Sequence, residues 1–164
     1  MKGLTNDELL DYARLPEFNL EIEQSLAVIE DALTEIGSAY LVDADDRSSA
    51  VLLHLVRSIA PNALIGIGRH PWPDSKILIR SMQVGENEDR QKKLKKYGPI
   101  HQRKSDGVWQ CYPIAFWKEL DVLAYACVHN LLQSEQRPNP SPSLDYLDSG
   151  EEICLFEPEL FPGN

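Results

Sequence analysis

The stretch Tyr40 to Ser58, YLVDADDRSSAVLLHLVRS, restricts this chain's choice of fold more than any other. Ala39 to Val42 is short and apolar, as a buried strand is, and Asp43 to Ser48 is a polar turn. The residues after it have the apolar content of a helix, with Ser48 or Ser49 as the expected N-cap. Ile59-Ala60-Pro61-Asn62 then ends the helix, and Ala63 to Gly68 reads as a second buried strand, too apolar to alternate. Strand, helix and strand in this order imply a right-handed parallel crossover. The ligand crevice of such a sheet lies beyond the C-terminal strand ends, where Asp43 to Ser48 and Gly68 to Asp74 are expected to meet. A helix entered from such a turn has unpaired N–H groups and a positive macrodipole end, so the turn is a natural place for an anion.

The flanking segments supply layers for that unit. Thr5-Asn6-Asp7-Glu8 has the form of a capping box and opens a short helix to about Arg14. Pro16 interrupts, and Asn19 to Ile36 places Leu26, Ile29, Leu33 and Ile36 at helical spacing, with Gly37 at the expected C-terminal cap. Lys76 to Val84 is a third extended run, Glu86 to Tyr97 a helix stopped by Gly98-Pro99, Val108 to Tyr112 a strand and Leu120 to Leu132 an amphipathic helix. The expected organisation is an α/β domain over residues 1–133, helical over 1–37, followed by a Pro-rich irregular arm over 134–164. Its apolar ending, Ile153 to Phe161, and the helices before Gly37 are candidate docking surfaces for a protein partner.

Composition narrows the function classes. The 164 residues are 43% apolar and 26% charged, which suits one domain with a real core. The net charge of −10 disfavours nucleic acid and anionic membrane as partners. No apolar run is long enough to span a bilayer, and the acidic, amphipathic MKGLTNDELLDYAR does not read as a signal peptide, so a cytoplasmic location is expected. Cys111, Cys127 and Cys154 form no CxxC pair, which gives neither a disulfide framework nor a zinc or iron–sulfur spacing. Arg90 to Lys104 holds seven Lys and Arg and no Asp or Glu, hence +7, leaving −17 elsewhere. That segment is either a local anion site or a solvated helix face.

Three stretches in order resemble one family. Ser49 to Val56 followed by Ile59-Ala60-Pro61 looks like the helix after a phosphate loop. Gly85-Glu86-Asn87-Glu88-Asp89-Arg90 is similar to a Gly-x-Arg-x-x-(Glu)-x-x-x-Arg segment. Tyr112-Pro113-Ile114 to Trp117 with Asp121-Val122-Leu123-Ala124-Tyr125 is similar to a Pro-Ile-x-x-Trp…Asp-Val-x-x-Tyr run. Together, over roughly Leu20 to Leu132, they resemble the phosphoadenosine phosphosulfate (PAPS) reductases, within the PP-loop adenine-nucleotide α-hydrolase-like folds. The resemblance implies a three-layer α/β architecture, a parallel-type sheet of four or five strands with helices on both faces, and homodimerisation. It also implies an adenine-nucleotide partner, while the interaction-module alternative implies a protein partner.

Departures from the family set the functional expectation. The phosphate loop of these folds is Gly-containing, whereas Asp43-Ala44-Asp45-Asp46-Arg47-Ser48 holds three carboxylates and no glycine to let the backbone approach phosphate oxygens. A carboxylate ~4 Å from a phosphate is repelled by roughly 1 kcal/mol per charge pair in water. Mg²⁺ held by Asp43, Asp45 and Asp46 would reverse that sign. The family's C-terminal Glu-Cys-Gly-x-His motif is matched only by Glu152-Ile153-Cys154-Leu155-Phe156, in which nothing activates the Cys154 thiol, the weak candidate nucleophile. The candidate phosphate contacts are Asp43, Asp45, Arg47, Ser48, Ser49, Arg69, His70, Arg90 and Lys93, toward ATP or a sulfonucleotide, with or without Mg²⁺. No cofactor is required by the sequence and no catalytic residue is assigned. The expectation is a degenerate PAPS reductase-like protein, non-reductase, that binds an adenine nucleotide or serves as an accessory. A pure interaction module and an active sulfonucleotide reductase are the alternatives.

Overall fold

A computed structural model describes residues 3–36, 39–42, 46–61, 66–71, 73–85 and 87–131. The expected cap at Gly37, the turn residues Asp43 and Asp45, Trp72, Glu86 and the arm with Cys154 lie outside the described residues. The elements are α1 (Asn6–Tyr12), α2 (Pro16–Glu35), β1 (Ala39–Val42), α3 (Arg47–Ile59), β2 (Gly66–Gly68), β3 (Ile77–Arg80), α4 (Glu88–Tyr97), β4 (Ile100–Gln102), β5 (Trp109–Cys111) and α5 (Glu119–Val128). The fold is mixed α/β with a five-stranded, mostly parallel sheet in the order β2-β1-β3-β5-β4.

The sheet follows from two local rules. β1, β2, β3 and β5 run parallel, with α3 carrying the chain back between β1 and β2 and α4 between β3 and the β4–β5 hairpin. β4 pairs antiparallel with β5 because only the Ser105-Asp106-Gly107 turn region separates them. Gly107 takes a φ of +72° there, and the Gln102 side-chain amide donates to its carbonyl at 2.7 Å. β4 is an edge strand of three residues inside the basic run, too short for its alternation to stand out in the sequence.

Alternation across the sheet places the main core on one face. Ala39 and Leu41 of β1, Ile77 and Ile79 of β3, and Cys111 of β5 share one buried cluster with Ile29 of α2, Val51, Leu52 and Leu55 of α3, and Val122 and Tyr125 of α5. Fully burying such side chains contributes roughly 1.5–3 kcal/mol each. α4 stands apart from this layer, held by Leu94 against Val84, Ala115 and Tyr112. Tyr40, Leu78 and Gln110 occupy the alternate positions of β1, β3 and β5 and meet in register. The Tyr40 hydroxyl lies against Gly68, where an added Cβ would come 2.5 Å from it, so a side chain at that point would have to displace the Tyr40 ring.

Helix boundaries have identifiable causes. The Thr5 capping box forms as expected, with the Thr5 N–H donating to Glu8 Oε2 at 2.7 Å. Pro16 begins α2 instead of merely interrupting the chain, since the first helical position needs no N–H donor. α5 is capped from within, as Asp121 Oδ2 accepts the Lys118 N–H at 2.6 Å. Asp121 Oδ1 accepts the Tyr12 hydroxyl at 2.7 Å, which ties α1 to α5. That bond, first, and burial, second, push the Tyr12 phenol up to about 12.

One buried polar node crosses the core. The Ser25 hydroxyl lies 2.9 Å from the carbonyl oxygens of both Glu21 and Pro113 and accepts the Trp117 indole N–H at 2.9 Å. α2 is thereby fastened to the Pro113–Trp117 turn that leads into α5. Ser25→Ala would leave the buried indole N–H without its acceptor, and its expected cost is about 1–3 kcal/mol. Urea unfolding followed by tryptophan fluorescence checks this, with a midpoint lowered at unchanged slope as the expected result.

Candidate functional site

The strand order puts the reversal of topology beside β1. From β1 the chain crosses through α3 to β2 on one side, while β3 joins β1 on the other. The crevice at such a point lies beyond the C-terminal ends of β1 and β3. Its walls are the start of α3 and the segment Ser81 to Val84 that follows β3.

The start of α3 differs from the expectation in one decisive respect. Asp46 is the N-cap, not Ser48 or Ser49, and Arg47, Ser48 and Ser49 belong to the first helical turn. Asp46 Oδ1 accepts the Ser49 N–H at 2.7 Å. A carboxylate caps about as well as a hydroxyl and in addition brings a negative charge to the positive helix end. The same property makes it a competitor for any incoming anion at this point.

The hydroxyls of this turn are engaged across the crevice. Ser49 Oγ lies 3.0 Å from Ser81 Oγ, and Ser48 Oγ donates to Gln83 Oε1 at 3.4 Å. Gln83 Nε2 donates to the Trp117 carbonyl at 2.9 Å, and the Val84 N–H donates to the Ala115 carbonyl at 2.8 Å. A chain of side chains thus stitches α3 to the segment after β3 and onward to the turn before α5. Behind it, Arg80 Nε donates to Gln110 Oε1 at 3.0 Å, and the Tyr112 hydroxyl approaches the same oxygen at 3.4 Å. Gln110 is only 4% exposed, and its Nε2 has no hydrogen-bond partner among the described residues.

Ser81, Gln83, Arg80 and Gln110 were not among the expected site residues. The signal was a polar break, Arg80-Ser81-Met82-Gln83, at the end of an apolar strand. The pairing of Ser81 and Gln83 with residues more than thirty positions away is set by β3 lying beside β1, and that of Arg80 with Gln110 by β3 lying beside β5.

The other expected contacts are dispersed. Val42 pairs with Gly68, so Arg69 and His70 follow β2 at the C-terminal end of β1, and both are exposed. Arg90 and Lys93 lie on the exposed side of α4. Among the described residues no hydrogen bond or ion pair joins either side chain to the first turn of α3. The basic run is split among α4, β4 and the hairpin turn. Lys92 Nζ approaches Glu88 Oε2 at 3.7 Å, and Arg103 Nε donates to Asp106 Oδ1 at 2.9 Å. The latter contact, chiefly, holds the Asp106 carboxyl down at about 2. Among the described residues no three His, Cys, Asp or Glu side chains are grouped to hold a metal ion, and no helix is long and apolar enough to cross a membrane. Asp46 is the sole described member of the three-carboxylate turn, and its contact is the cap.

Nucleophile and acid–base chemistry find little support in the described residues. Burial pushes the Cys111 thiol up to about 12, which keeps it protonated. His54 Nδ1 lies 3.0 Å from the Tyr125 hydroxyl, and the His54 and His129 rings are 4.5 Å apart between α3 and the end of α5. This cluster sits on the helical layer, away from the crevice residues. Within the family-like run Pro113 to Tyr125, Ile114, Trp117, Val122 and Tyr125 belong to the core and Asp121 caps α5. Comparison of the chain with protein-family models and with curated proteins returns no match.

Two predictions follow from this geometry. Asp46→Ala should cost about 1 kcal/mol through the lost cap, while Asp46→Ser should retain most of it, as read from urea midpoints. Burial and then the neighbouring His54 charge lower the His129 pKa from its ordinary 6.5, so the unfolded chain binds protons more readily. Stability should therefore fall on acidification through about pH 6.5 and rise again with pH. Melting temperatures measured from pH 7.5 to 5.5 should show this slope, shallower in His129→Gln.

Proposed function

We propose that this chain is a non-reductase relative of the PAPS reductase-like, adenine-nucleotide α-hydrolase-like scaffold, with helices on both sheet faces, that serves as an accessory protein. The observation that carries this reading is the Asp46 carboxylate on the Ser49 N–H at 2.7 Å, at the point where a phosphate would meet the helix. An internal anion there satisfies the helix end and repels an external one. The hydrogen bonds of Ser48 and Ser49 to Gln83 and Ser81 fit the same reading, because hydroxyls that close the crevice are withdrawn from a ligand. Leu4, Leu10, Leu15 and Leu20 are exposed large apolar residues near or on the first two helices, which suits a protein partner at this end.

A second reading has its own observation. Arg80 stands at the C-terminal end of β3 beside the crevice, and with Ser48 it offers a cation and a hydroxyl to the phosphate of an adenine nucleotide or sulfonucleotide, with Mg²⁺ as a bridge.

Calorimetric titration with ATP, PAP, PAPS and adenylyl sulfate, with and without Mg²⁺, separates the two readings. The expected result is no saturable binding tighter than about 1 mM, with weak PAP binding gained in Asp46→Ser. Micromolar binding by the unaltered chain that is lost in Arg80→Gln would overturn the accessory reading in favour of the second.

A further inference from the structure

A cavity of about 680 Å³ lies at the opposite end of the strands, at the N-terminal ends of β3 and β5. Its volume is in the range that holds a small molecule. None of the crevice residues lines it.

Three kinds of group converge there. Asp31 and Glu35 come from the last turns of α2, one turn apart on the same side, and neither forms an ion pair among the described residues. They stand at the negative end of a 20-residue helix that has no basic residue in its last turn. Like charges at this spacing, at this helix end, are each unfavourable. A bound ammonium group would relieve both.

Ser75 and Lys76 enter from the segment before β3. Ser75 is 9% exposed, lines the cavity, and its hydroxyl takes no hydrogen bond among the described residues. A hydroxyl that lines a cavity and is not engaged by the protein is open to donate to a ligand there. Lys76 is exposed and also lines the cavity, so it offers a positive charge next to that hydroxyl. Asp106, the third carboxylate of the lining, is already engaged by Arg103. Ile36, Ile100, Val108 and Trp109 form the apolar wall.

We propose that this cavity binds a small zwitterion with an apolar body, an α-amino acid bearing an aromatic or large aliphatic side chain. Its ammonium group faces Asp31 and Glu35, its carboxylate faces Lys76 and the Ser75 hydroxyl, and its side chain packs on Trp109 and Ile36. A simple cation would leave Lys76 opposed and Ser75 without use. A simple anion would meet two unpaired carboxylates.

Calorimetric titrations of the full chain with L-phenylalanine, phenethylamine and 3-phenylpropionate test each half of the ligand. Phenylalanine should bind at about 1 mM or tighter, phenethylamine more weakly and phenylpropionate weakest. Exposed charge contacts are worth up to about fivefold each, so Asp31→Asn with Glu35→Gln should weaken phenylalanine and phenethylamine by about tenfold. Lys76→Gln should weaken phenylalanine about fivefold while leaving phenethylamine unchanged or tighter. Asp31, Glu35 and Lys76 are all exposed, so these variants keep the core intact. The proposal is overturned if phenylalanine shows no binding at millimolar concentration. It is overturned equally if phenylpropionate binds as well as phenethylamine, or if the acidic substitutions leave binding unchanged. None of these outcomes bears on nucleotide binding at the other end of the strands, so the two readings fail separately.

Discussion

Leu41 and Ile79 stand side by side at the centre of the sheet, 1% and 0% exposed, and the rest of the molecule depends on burying them. Both point to the face covered by α2, α3 and α5, together with Ala39, Ile77 and Cys111. Because β1 and β3 must lie adjacent to make that shared surface, β2 is left to the far side of β1. The reversal of topology beside β1 is therefore a consequence of core formation. So is the approach of α3's first turn to the segment after β3, where Ser49 meets Ser81 and Ser48 meets Gln83.

That placement sets the N-terminus of α3 beside the segment after β3, and Asp46 caps it. A glycine turn would leave the first N–H groups of α3 open to an external anion. Asp46 instead satisfies the Ser49 N–H and supplies the negative charge the helix end favours. The hydroxyls beside it close onto Ser81 and Gln83. The N-terminus of α3 is thereby satisfied from within the chain. The cavity at the other end of the strands has the reverse character, with unpaired carboxylates, an unpartnered hydroxyl and a lysine left facing open space.

Much of the fold was legible because local rules agreed with the tertiary structure. The Thr5 capping box, the apolar run of β1 and the helical spacing of α2 and α3 each fixed an element without long-range information. β4 was hidden because three residues inside a basic run carry too little alternation to be seen. The N-cap of α3 was misplaced because Asp46, Ser48 and Ser49 are all good caps, and the point where the chain leaves β1 decides among them. The partners in the crevice were not legible at all: Ser81 and Gln83 gain their role from strand order, which no local pattern encodes. The segments that carried the family resemblance proved to hold Ile114, Trp117, Asp121 and Tyr125, residues of the core and of a cap. Such residues report a scaffold more faithfully than an activity.

The central claim is that an internal carboxylate occupies the anion position of α3. The Ser49 amide, as the donor to Asp46, reports on it directly. Two-dimensional ¹H–¹⁵N NMR of the chain titrated with PAP should leave the Ser49 amide signal in place up to millimolar nucleotide, and should move it in Asp46→Ser. Saturable movement of the Ser49 signal in the unaltered chain, at micromolar PAP, would contradict the account.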